Sequence, residues 1–199
     1  MHEYKTIETA VQDILLKEKG SKFIGYAYPV ANETEVRTCL EVIKAQHPKA
    51  THHCYAFRFG VNGKIYRAND DGEPSGSAGL PIYNQLIANE VTNVLLVVVR
   101  YFGGTKLGTA GLVKAYKECA KLTLDAATII IREPQFSFQI EFPYLQQNTV
   151  FALLNKHRIP FSNFTANSLC SLTIQIKSSQ KEGILEILSG MPYLTLKEI

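Results

Sequence analysis

Val94 to Val99 is apolar at every position, the pattern of a strand covered on both faces, and it anchors the reading of its neighbours. Phe23 to Val30 and Thr51 to Phe59 read as further strands. Asn62-Gly63 marks a tight turn, from which Lys64 to Arg67 returns as the second arm of a hairpin. Helical spacing recurs three times in this half. Asn32-Glu33-Thr34-Glu35 has the form of a capping box; Val36, Leu40 and Ile43 follow it, and Pro48 stops the helix. Ser77 to Asn89 starts after a Ser77 cap and carries Leu80, Tyr83, Leu86 and Ile87. Thr109 to Asp125 sets Leu112, Ala115, Tyr116, Cys119 and Leu122 on one face. Tyr4 to Lys19 fits two patterns: Ala10, Ile14 and Leu15 have helical spacing, whereas Ile7, Thr9, Val11 and Asp13 permit an extended edge.

The pattern restarts at Pro134. Phe136, Phe138, Ile140 and Phe142 alternate as a half-buried strand, and Pro143 suits the first turn of a helix that turns Val150, Leu153 and Leu154 inward. Ile159 to Ala166 and Leu169 to Lys177 are two more strands. Ser179 and Glu182 form a capping box for a short helix carrying Ile184, Leu185 and Leu188 and ending at Gly190; Tyr193 to Ile199 is the last strand. The order β-α-β-β-α-β is the split-βαβ, ferredoxin-like arrangement. Arg132-Glu133-Pro134 is the linker between two domains, residues 1–132 and 135–199, and the fold class is α+β.

Composition removes several classes of function. With 46% hydrophobic and 20% charged residues the chain is not of disordered composition. No apolar run approaches the ~20 residues that span a bilayer. The start, Met1-His2-Glu3-Tyr4-Lys5, lacks a charged-then-apolar leader, so the expectation is a cytoplasmic protein with no membrane contact. Cys39, Cys54, Cys119 and Cys170 are scattered, with no Cys-x-x-Cys pair. The net charge of +3 is too slight to announce a nucleic-acid partner, which would need a local patch.

Such a patch is available at Arg100 to Gly111, RYFGGTKLGTAG, lying between a buried strand and a helix. Strand, glycine loop and helix start together aim backbone N–H groups at an anion. Gly103 and Gly104 permit the turn, Gly108 ends it, and Arg100 and Lys106 add charge. Lys114, Lys117 and Lys121 continue the charge along one helix face, while Tyr101 and Phe102 offer rings on which a base could stack. The bland readings stand beside these: glycines that only make a close crossover, and a lysine stripe that is only a solvated helix face. The loop is not a Walker A motif, because Thr109 stands where the lysine belongs, and the dinucleotide fingerprint is absent. Asp70, Asp71, Glu73 and Ser75 in DDGEPSG could hold a metal or act as acid and base, but they are equally the makings of a turn. His52 and Cys54 share a strand face that His53 does not, and two ligands make a poor zinc site; no metal and no cofactor is expected.

Three blocks carry a resemblance: THHCYAFRFG (51–60), DDGEPSGSAGLPI (70–82) and VVVRYFGGTKLGTAGLVKAY (97–116). In this order they resemble the signatures of the YigZ/Impact family, also called the UPF0029 type, over roughly residues 19–126. The tail from Gln135 is similar to a C-terminal domain of elongation factor G. The resemblance implies a ribosomal-protein-S5-domain-2-like fold followed by the ferredoxin-like domain. It singles out His53, Arg58, Asp70, Asp71, Glu73, Ser75, Arg100, Gly103, Gly104, Lys106 and Gly108. It also implies a regulatory factor near translation, rather than an enzyme, whose partner is RNA, the ribosome or a translation-related protein. The alternative is an enzyme acting on a phosphorylated small molecule or nucleotide through the glycine and acidic loops. Motif chemistry further suggests that Asp71 or Glu73 pairs with Arg100 or Lys106.

Overall fold

The computed structural model describes residues 3–199 and divides into two compact units, one of which is Tyr4–Arg132 and the other of which contains Glu133–Ile199. In the first, the elements run β1 (Tyr4–Ile7), β2 (Val11–Glu18), β3 (Ser21–Pro29), α1 (Glu33–Gln46), β4 (His52–Phe59), β5 (Ile65–Asn69), α2 (Gly79–Ala88), β6 (Val94–Tyr101), α3 (Gly108–Asp125) and β7 (Ile129–Arg132). Five strands form an antiparallel sheet in the order β2-β3-β6-β4-β5. The apolar run of β6 lies at its centre and is buried throughout. Its period of two divides the core: Val94, Leu96 and Val98 pack with α2 and α3 on one face, Leu95, Val97 and Val99 with α1 on the other.

Local signals explain the ends of these elements. Asn32 caps α1 by accepting the Glu35 N–H at 3.0 Å, while the Glu35 carboxylate reaches back to the Ala31 N–H at 2.8 Å. Lys19 and Gly20, at φ +44° and +81°, make the two-residue turn between β2 and β3. The ambiguous first segment is therefore extended, as two strands rather than a helix. Ser77 does not cap α2: its hydroxyl donates to the Pro74 carbonyl, and Asp70 takes the capping role from a distance. One strand had no expectation behind it. β7 pairs with β1 across the length of the unit, so Arg132, assigned to the linker, ends a strand.

The second unit runs β8 (Gln135–Pro143), α4 (Gln147–Lys156), β9 (Phe161–Ala166), β10 (Leu169–Lys177), α5 (Lys181–Ser189) and β11 (Thr195–Glu198). Its sheet order, β11-β8-β10-β9, with both helices packed on the alternating apolar residues of β8 and β10, is the ferredoxin-like arrangement. Pro143 ends β8, and a short 3-10 turn precedes α4. The expected Ser179–Glu182 box does not form, because the Ser179 N–H donates to the Glu133 carboxylate and α5 begins two residues later.

Helix α3 lies so close to the sheet that Gly25 has no room for a side chain. A Cβ there would sit 1.8 Å from Thr123 Oγ1 and 3.3 Å from Cys119 Sγ. Gly25→Ala is expected to destabilise the protein by roughly 1–3 kcal/mol. Thr123→Ala in the same chain should recover part of that loss. Urea unfolding of the three variants measures both effects.

Candidate functional site

The three signature blocks meet at one carboxylate. Glu73 follows a loop that Asp70 and Asp71 hold in place. Asp70 receives the N–H groups of Gly76 (2.8 Å), Ala78 (3.0 Å) and Gly79 (2.8 Å), tying the loop to the start of α2. Burial pushes the Asp70 carboxyl up, but these donors outweigh it and hold its pKa below the usual value. Asp71, with φ +43°, receives the His53 N–H at 2.6 Å, and its carbonyl lies 2.7 Å from His52 Nδ1. The loop is thereby fastened to β4 on one side and α2 on the other.

So held, Glu73 points inward, its side chain only 4% exposed. Its Oε1 accepts from Arg100 Nη1 at 2.6 Å and from the Tyr116 hydroxyl at 2.8 Å, with His52 Nε2 3.8 Å away. Tyr116 Oη also lies 3.3 Å from Cys54 Sγ, and that thiol contacts the Asp70 carbonyl at 3.0 Å. Burial drives the pKa values of both the Tyr116 hydroxyl and the Cys54 thiol far upward, so both stay protonated. Arg100 is buried as well; its guanidinium lies 5.5 Å from the Phe23 ring centroid and 5.6 Å from that of Phe102.

The glycine loop lies over this pair. Ser21 Oγ accepts the Gly103 N–H at 3.1 Å and sits 3.5 Å from Arg100 Nη2; Thr51 Oγ1 accepts the Phe102 N–H at 3.2 Å. Gly104 and Gly108 have positive φ, as the turn requires, but Gly103 does not. Its need is for close approach, since a Cβ there would fall 1.9 Å from the Gly20 carbonyl carbon. Beyond Gly103 the loop is exposed up to the start of α3, apart from half-buried Leu107. Among the described residues no side chain caps that helix, and its first turn holds no acidic residue. Glu73, Pro74, Arg100, Phe102, Lys106 and Gly108 line a cleft of about 270 Å³ there.

These positions sort the expected residues. Glu73 rather than Asp71 pairs with Arg100, and Lys106 stands at the cleft. Arg100 is removed from the basic surface strip because it is used inside. Lys121 is tied to Asp125 at 2.9 Å, which leaves Lys106, Lys114 and Lys117 as the exposed lysines of the strip without an ion pair among the described residues. Arg58 braces the β4–β5 turn through the carbonyls of Asn62, Gly63 and Val91, and Ser75 is exposed on the loop. Tyr101 turns to the opposite face, where its hydroxyl lies 2.9 Å from His47 Nδ1, His47 Nε2 lies 2.6 Å from Tyr26 Oη, and Tyr26 donates to Asp13 at 2.5 Å. Ser21, His52, Cys54 and Tyr116 were not among the expected site residues. A tyrosine on an inward helix stripe was the available signal for Tyr116, since a buried hydroxyl needs a partner. For Ser21, 79 positions from Arg100, there was none.

His53 is half-buried, and its buried Nε2 has no partner among the described residues. Burial is the largest influence on its ring and lowers its pKa; nearby Asp71 pulls the other way without reversing the shift. A depressed folded-state pKa stabilises above the unfolded value of 6.5, and that contribution is lost as the pH falls through the folded value. The unfolding free energy should therefore decline as the pH falls below about 6.5, and His53→Gln should flatten that part of the curve. For the central pair, Arg100→Met leaves Glu73 buried without its counter-charge and should cost ~3–5 kcal/mol. Adding Glu73→Leu should reduce that cost, as a double-mutant cycle by urea unfolding would show.

A family model described as the Impact N-terminal domain matches residues 19–124, a span that contains the whole Glu73 network. The IMPACT family member YvyE of Bacillus subtilis (strain 168) is 40% identical over 133 residues, which are 67% of this chain and 61% of that protein's length. An IMPACT family member of Haemophilus influenzae is 33% identical over 209 residues, spanning 100% of this chain and 99% of that one. Among solved structures, one described as the crystal structure of an hypothetical protein matches with a TM-score of 0.79 and 28% identity, covering 100% of this chain and 98% of its own.

Proposed function

The chain belongs to the IMPACT family, and on that premise we propose that it is a non-catalytic binding factor of translation that grips RNA at the start of α3. The observation that carries the reading is the cleft itself. An uncapped helix start, Lys106 and the half-exposed ring of Phe102 converge on it. The N-terminus of a helix carries roughly half a positive charge and donor groups without partners inside the helix. A phosphate held there would meet Lys106, and an adjoining base could lie on Phe102. Lys114 and Lys117 extend the positive field along α3. The loop amides at Phe102 and Gly103 already serve Thr51 and Ser21, so the gripping donors are those at the helix start.

A second reading, an enzyme acting on a phosphorylated small molecule or nucleotide, draws on Glu73 at the wall of the same cleft. Its carboxylate already receives Arg100 and Tyr116, which leaves it poorly placed to take a proton from a substrate.

Fluorescence anisotropy with a labelled single-stranded RNA tests the first reading. Affinity should fall with salt, and Lys106→Ala should lower the log–log slope by about 0.7. Phe102→Ala should weaken binding by roughly 1–3 kcal/mol at an unchanged slope. Absence of binding at ~20 mM salt, where phosphate contacts are strongest, would overturn it. Turnover of a phosphomonoester or nucleotide that Glu73→Gln abolishes would favour the second.

A further inference from the structure

We propose that the groove between α2 and α3 is a docking site for an acidic, amphipathic helix of a partner protein. Helix α2 lies at the surface, yet its sequence, GLPIYNQLIA, holds no charged residue. A surface helix ordinarily turns charged and polar residues to water. This one turns out Leu80, 51% exposed, and Ile87, 45% exposed. Beside it is a groove of about 510 Å³, where Leu80, Asn84 and Ala88 line one wall at four-residue spacing and Val113 and Lys117 line the other.

Shape and charge together name the occupant. The α2 wall runs for about two helical turns, ~12 Å, which suits apolar anchors at positions i, i+3 or i+4 and i+7 of an incoming helix. Lys117 is the charged residue of the lining, no carboxylate among the described residues lines the groove, and Lys114 is exposed one turn before Lys117. Lys121 is paired with Asp125, and Glu118, though exposed on α3, is not in the groove's lining, so Lys117 with Lys114 beside it sets the charge of the rim. Acidic residues flanking the apolar anchors would complement that rim. A second copy of this chain is a worse fit, because a two-fold contact would bring two lysine rims together.

The groove does not include Phe102 or Lys106, which grip RNA at the cleft; Lys117 serves both surfaces, so Leu80, which lines only the groove, separates the two roles. Selection of helical peptides from a random phage-displayed library against the full chain tests it. Binders should share the apolar spacing and be rich in Asp and Glu. Leu80→Glu changes a half-exposed side chain, so the variant should fold and bind RNA as before, but hold those peptides about tenfold or more weakly. Lys117→Glu should shift the selected sequences toward Lys and Arg. The proposal is overturned if no peptide is selected, if binders lack acidic bias, or if Leu80→Glu leaves their affinity unchanged. A concentration-dependent dimer that Leu80→Glu dissolves would overturn it too, and assign the groove to a second copy.

Discussion

A carboxylate and a guanidinium removed from water have to be partnered, and the first unit is organised around meeting most of that demand for Glu73 and Arg100, leaving the buried Arg100 Nε without an acceptor among the described residues. Desolvating two ions costs several kcal/mol each, which their attraction offsets only when geometry and additional hydrogen bonds are good. Glu73 has Arg100 and Tyr116 as donors, while Arg100 has Phe23 and Phe102 beside its guanidinium. Those partners come from β3, β6, the glycine loop and α3, so the pair is buried only when all of them are in place. The loop supplying Glu73 cannot stand alone either, because Asp70 and Asp71 fix it to α2 and β4. The pair thus ties distant segments into one cooperative body.

The same demand divides the motif charges into two groups. Arg58, Asp70, Asp71, Glu73 and Arg100 are occupied by the protein's own groups, and each has a structural task that accounts for its presence. Lys106, Lys114 and Lys117 are exposed, and the two proposed contacts draw on them. A motif rich in charge is therefore an unreliable guide to a binding surface. What separates the groups is whether a partner lies within hydrogen-bond distance, which depends on tertiary structure.

Much of the fold could be read from periodicity. The apolar run of β6, the alternation in β8 and β10 and the Asn32 cap each express a local preference that the structure keeps; the hairpin signalled by Asn62-Gly63 also forms, but through the longer loop 60–64, in which the Gly63 N–H donates to the Gly60 carbonyl. Losses occurred where a distant partner overrode the local signal. Ser77 looked like the cap of α2 until Asp70 reached it from nine positions before Gly79. Ser179 looked like a cap until Glu133 took its N–H. β7 is a short, largely exposed segment whose strand character exists only through β1. At the site, opposite charges in two loops made a pairing foreseeable, but the choice of Glu73 over Asp71 rests on the backbone turn at Asp71, which no spacing rule reveals.

The hydrogen-bonded chain on the far face of the sheet has its own implication for the ring next to the cleft. Tyr26 owns one hydroxyl hydrogen and gives it to Asp13, so the oxygen can only receive from His47, whose Nε2 must then bear the hydrogen. On the other side of the same ring, Nδ1 lies 2.9 Å from the Tyr101 hydroxyl. The direction of the Asp13–Tyr26–His47 segment is thus dictated from the Asp13 end. Tyr101, though adjacent in sequence to Phe102, has its hydroxyl engaged by His47 on that far face, so its contribution at the cleft is to anchor the strand from which the loop springs.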